Sequence, residues 1–183
     1  MTDITIFRFA ADRLPVAIIL SVTLLDFFVF FNVESAWLLA AYWLVMILPR
    51  AVICAWNHHH QHRNVFLRKS LNRVLEFFYA LHTGVTTNLW LLHHNMGHHR
   101  NYLDQETDQS RWKRKDGSTM GVLEYTANVT LTAYSRGSQV GKSYPKHQQQ
   151  FFLYSAITFL IIVGLTVINP VSALFVFILP MIS

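Results

Sequence analysis

Two long apolar runs separated by four residues constrain this chain more than any other feature. Leu14 to Phe31 is 18 residues with one charge, Asp26. As a helix it measures about 27 Å at about 1.5 Å per residue, close to a hydrocarbon core of about 30 Å. Ala36 to Trp56 is a second run, of 21 residues, with Pro49 and Arg50 late in it. Only the polar "NVES" lies between them. The pair predicts a transmembrane hairpin, with spans at 14–31 and 36–56. The first run is too long for a typical cleaved signal sequence, and no small-residue cleavage site follows it.

Phe151 to Ile168 is a third run, without charge, and Asn169-Pro170 then marks a turn. A fourth apolar stretch begins at Val171 and runs to the chain end at Ser183. Its 12 residues from Val171 to Ile182 make about 18 Å of helix, too short to cross a bilayer. The expectation is a truncated fourth span in a C-terminally incomplete chain. A re-entrant or interfacial tail is the alternative. Composition agrees with a membrane protein: 14% of residues are charged, against about 25% in soluble domains. The single cysteine, Cys54, excludes an internal disulfide and a cysteine-built zinc cage.

The polar section 57–150 holds twelve Lys or Arg, six acids and all ten histidines. "NVES" and "NP" carry no Lys or Arg, so the positive-inside rule assigns the section, and the N-terminus, to the cytoplasm. Because the basic residues alternate with apolar spans, the pI of about 9.6 is read as membrane topology and not as nucleic-acid binding. Within the section, 74–92 is apolar at its ends and polar in its middle, "HTGVTTN". It is read as an interfacial helix bent near Gly84. The expected fold is all-α and membrane-embedded. Two transmembrane hairpins, the last helix incomplete, carry a cytoplasmic helical cap in one domain, 1–183.

Eight of the histidines fall into two patches, "NHHHQH" (57–62) and "HHNMGHH" (93–99). His58 and His62 are four apart, as are His94 and His98, so each pair shares a helix face. His99 lies about 100° further round an α-helix. Imidazole donors suit iron, zinc, copper and nickel. Both patches directly follow apolar segments, which would hold a metal just above the acyl chains. His59, His60 and His93 are read as supports that orient the ligands. The isolated His82 and His147 are read as polar anchors at an interface.

At these residues the sequence resembles the membrane fatty acid desaturase superfamily. "HHHQH" fits its first histidine box and "HNMGHH" its second, in register with the spans. The resemblance implies a non-haem diiron centre, two iron ions, with His58, His62, His94, His98 and His99 as ligands. It implies O2-dependent desaturation of a fatty acyl chain of a membrane lipid, with electrons from a ferredoxin-like or cytochrome b5-like protein. A fatty acid hydroxylase or alkane monooxygenase of the same superfamily is the first alternative. A haem- or metal-binding membrane protein, or a non-catalytic fragment, is the second. The superfamily's third box, beyond the fourth helix, has no counterpart before Ser183, so this chain alone is expected to be inactive. Asp104, Glu106 and Asp108 are read as carboxylate partners for ligating histidines or as a solvated loop. "RWKRK" (111–115) is read as a dock for an acidic electron donor or anionic headgroups, or as topogenic charge.

Overall fold

The computed structural model describes residues 6–182. The described residues form helices and loops with no strand, only the isolated bridges Phe7–Phe66 and Lys113–Thr119. The main helices are α1 (Arg13–Asn32), α2 (Ala36–His62), α3 (Lys69–Thr83), a π-helix (Leu91–His98), α4 (Val122–Gly141) and α5 (Pro145–Ile168). The short α6 (Pro170–Ala173) continues through π and 3-10 turns to Met181. Three helices are long and apolar enough to cross a membrane: Ala10–Asn32, Ala36–His62 and Pro145–Ile168. Pro170–Met181 is apolar but shorter.

The chain divides into two compact units. The first comprises residues up to Thr87 together with Tyr154 onward. It has two apolar clusters. Val16, Ile19, Ile53, Leu75 and Tyr79 join α1, α2 and α3. Val29, Phe30, Leu39, Leu165, Val176 and Phe177 join α1, α2, α5 and the C-terminal helix. Elsewhere the long helices expose large apolar side chains: Leu24, Trp37, Leu48 and Val167 are each at least 72% exposed. Apolar surface on that scale is disfavoured in water and natural against lipid.

Charges buried among these helices form one network. Asp26 of α1 accepts from Arg50 Nη2 and from the Tyr42 hydroxyl, both at 2.6 Å. Its other oxygen lies 3.3 Å from His82 Nδ1 on α3. His82 Nε2 is 2.9 Å from Thr23 Oγ1, and Arg50 also donates to the Val176 carbonyl at 3.1 Å. The network links α1, α2, α3 and the C-terminal helix. It corrects the reading of His82, which is 1% exposed: the histidine is a buried partner of the α1 carboxylate and not an interface anchor. An unpaired Asp26 would be costly in an apolar helix, and this set of donors is what makes it tolerable.

Near the histidine patches the sequence segments break differently from expectation. Helix α2 carries on past the apolar run that ends at Trp56, through His62, and so places His58 and His62 on one helix as their spacing predicts. The 74–92 helix is two elements. Helix α3 starts at Lys69 and ends at Gly84, whose φ of 67° is left-handed, a common helix stop. Gly84 is further restricted by the C-terminal turn: a Cβ there would fall 2.6 Å from the Met181 carbonyl oxygen. Gly84→Ala is therefore expected to destabilise the protein by about 1–3 kcal/mol. Denaturation of the solubilised protein, followed by circular dichroism, checks this, with Gly164→Ala, where the new methyl meets nothing, as comparison.

The second unit spans Asn88 to Leu153. Asn88, with φ of 64°, turns the chain into the π-helix. Its side-chain amide donates to the His147 carbonyl (3.2 Å) and Gln150 Oε1 (3.1 Å), fastening that turn to the start of α5. Helix α4 packs on the π-helix through Gly137, where a Cβ would fall 2.9 Å from Leu89 Cδ1.

Candidate metal centre

The first unit contributes the end of α2. His58 and His62, one turn apart, have their Nε2 atoms 3.0 Å from each other. Two imidazole nitrogens bound side by side to one first-row metal, at about 2.0–2.1 Å each, lie at such a separation. His62 is exposed and His58 half-buried. Between them His60 points the other way. It is fully buried, receives the Val65 N–H on Nδ1 (3.3 Å), and has Glu76 Oε1 3.5 Å from Nε2. Arg73 holds the second oxygen of Glu76 at 2.6 Å. Burial raises the Glu76 pKa, but the His60 bond and the Arg73 charge outweigh it and lower it overall. His60 thus locks the end of α2 to α3 and the following loop. His59 is exposed.

The second unit contributes His94, His98 and His99. The π geometry alters their predicted arrangement. A π turn closes from residue i to i+5, so His99, and not only His98, comes back over His94. The ring centroids of His94 and His99 are 4.4 Å apart, closer than His94 and His98 at 5.3 Å. His98 and His99 are also 5.3 Å apart. All three imidazoles form one cluster, where an α-helix would have turned His99 aside. π turns inside helices recur at functional sites for such reasons.

One carboxylate supports the cluster. Asp108, 0% exposed, accepts from His98 Nδ1 at 2.8 Å and from the Ser110 N–H at 2.7 Å. The bond fixes the His98 ring and would turn Nε2 toward any metal, as such carboxylates do for metal-binding histidines. The tight approach of the Asp108 loop depends on Gly97, since a Cβ there would fall 2.5 Å from Gln109 Cγ. Of the three acids considered from sequence, Asp108 alone is bonded to a histidine among the described contacts. Asp104 instead accepts from the Glu106 N–H (2.9 Å) and Thr107 hydroxyl (2.6 Å), bonds internal to the loop that lower its pKa, and Glu106 is exposed. His93 is buried on the α4 side. Burial, and then the charge of Arg136, push its pKa down to about 4.

The donor set fits a histidine-bound metal: paired imidazole nitrogens in one unit, three clustered rings in the other, and a buried carboxylate behind one of them. A groove of about 540 Å3 in the first unit is walled by Val74, Phe77, Ile157 and Ile161 together with Ser70, Arg73 and Tyr154. The family model described as fatty acid desaturase matches residues 35–183. The chain belongs to the fatty acid desaturase family. Its match runs from the start of α2 through both histidine patches and α5, so every residue of the candidate centre lies inside it. No curated protein and no solved structure gave a match. Family membership and the three long apolar helices make this a membrane protein of an oxidoreductase family.

Proposed function

We propose that this desaturase-family protein serves O2-dependent desaturation of a fatty acyl chain, with His58, His62, His94, His98 and His99 as ligands of a non-haem diiron centre. The observation that carries the reading is the clustering of His94, His98 and His99 on the π-helix, with Asp108 behind His98. When bound, the two irons would supply the O2 activation needed to attack an unactivated methylene. The chain's own part is to hold the imidazoles of each patch in place beforehand, which avoids the cost of ordering them at the moment of reaction. Asp108 keeps the His98 Nδ1 proton in place, and His60 with Glu76 keeps the end of α2 from unwinding. The apolar spans bring a lipid chain to the level of the histidines.

In this reading the three long helices span the membrane, and the polar section 57–150, rich in Lys and Arg, faces the cytoplasm. Electrons arrive there from a ferredoxin-like or cytochrome b5-like partner. Mass spectrometry of lipids from cells expressing the protein tests the reading. Loss of two hydrogens from an acyl chain is the expected product change. Gain of an oxygen would transfer the protein to the hydroxylases or alkane monooxygenases, and a Soret absorption band in the purified protein would replace diiron with haem.

A further inference from the structure

The second unit also contains a cavity of about 710 Å3 between α4 and the loop that follows the second histidine patch. Its volume is that of a small-molecule site. Arg111, Lys113, Arg114 and Lys115 line it from the loop and Arg136 from α4, against the acids Glu106 and Glu124. Glu124 is already committed, receiving Arg114 through a bidentate pair with Nε–Oε1 at 2.7 Å. Four cations then face one carboxylate.

Arg136 is the decisive residue. It is 7% exposed, yet its guanidinium is met by neutral acceptors: the Gln109 carbonyl, the Thr132 hydroxyl at 2.7 Å and the Asn128 side-chain oxygen at 3.0 Å. Burial first, and then the charge of Arg111, lower its pKa. The nearby Asp108 is engaged by His98 and Ser110. A buried guanidinium whose hydrogen bonds go to neutral acceptors is costly. The loop is nevertheless braced to keep the charges together: Gln105 Oε1 accepts both the Trp112 and Lys113 N–H groups at 3.1 Å.

We propose that this cavity is a binding site for a phosphoryl group, carried by a phospholipid headgroup or by a soluble phosphate ester. The guanidinium of Arg111 suits a tetrahedral oxyanion, Arg136 adds a buried positive charge while its own nitrogens hold Gln109, Thr132 and Asn128, and the lysines add charge at the mouth. The cations line a concavity, which favours a small anion over the face of an acidic protein. The site does not depend on iron or on the desaturation reading.

Calorimetric titration of the full chain in detergent micelles with inorganic pyrophosphate, at physiological salt, tests the proposal. Saturable binding at one site per chain is expected. Arg111→Gln and Lys113→Gln should each weaken it about tenfold, as removal of a charge-assisted bond does, while Lys142→Gln outside the cavity should not. Arg136→Gln removes the buried charge and should also weaken binding, whereas Arg136→Lys, which keeps that charge, should weaken it less. Displacement of pyrophosphate by phosphatidylglycerol nanodiscs, but not by phosphatidylcholine ones, assigns the site to lipid headgroups. Failure of both to displace it assigns the site to soluble esters. No saturable binding, equal binding by the wild type and the Arg111 and Lys113 variants, or binding of poly-glutamate in place of pyrophosphate would overturn the proposal.

Discussion

Asp26→Ala is expected to destabilise the protein by about 3–5 kcal/mol, the usual cost of removing one partner from a buried ion pair. The substitution leaves Arg50, 4% exposed, without its carboxylate, and takes the acceptor from Tyr42 and the neighbour from His82. Because the network ties α1 and α2 to α3 and the C-terminal helix, the loss should register as a cooperative change in unfolding of the whole first unit. Arg50→Met should cost a similar amount by stranding Asp26. The double variant Asp26→Leu/Arg50→Met should recover part of the loss, since two apolar side chains no longer demand partners, though the Tyr42 and His82 donors stay deprived. Unfolding in mixed micelles, read by tryptophan fluorescence, measures all three. Single variants as stable as the wild type would mean that the network does not hold the first unit together.

The second large effect concerns Asp108. Asp108→Ala should weaken iron binding by about 10–100-fold, the range typical of losing a carboxylate that orients a ligating histidine. The Ser110 N–H helps to hold the carboxylate itself in position, so its bond to His98 is directional and not incidental. Asp108→Asn keeps an acceptor of similar shape and should lose much less. Competition with a coloured chelator gives the affinities without requiring turnover. If Asp108→Ala binds iron as the wild type does, Asp108 is a loop-bracing residue only.

The long apolar helices are legible in the sequence because an apolar run of about 18 or more residues with at most one charge is rare outside a membrane span. Their ends are less so: α2 runs six residues beyond Trp56, to His62, since histidine and glutamine neither favour nor stop a helix strongly. The π-helix is not legible at all. Histidines at 94, 98 and 99 satisfy an α-helical face for the first two, and nothing in their spacing announces a turn that closes at i+5. The buried network escapes a sequence reading for another reason. Asp26 and Arg50 lie 24 residues apart, and His82 is further still from Asp26, so local periodicity does not connect them. Two opposite charges in neighbouring apolar runs are the signal that sequence does carry, and pairing them finds the first link. His82 has no such signal, because nothing local separates a buried histidine from an interfacial one. Asp108 stands among three candidate carboxylates in one loop. Burial, which sequence does not give, is what separates it from Asp104 and Glu106.

That these histidines bind iron is tested most directly by the iron content of the purified protein. Plasma mass spectrometry would measure it for the wild type, His62→Ala and His98→Ala, each shown by circular dichroism to keep its helix content. Both variants are expected to lose at least about half of the wild-type iron, since each removes an imidazole from a different part of the ligand set. Iron content equal to the wild type in both would contradict the assignment.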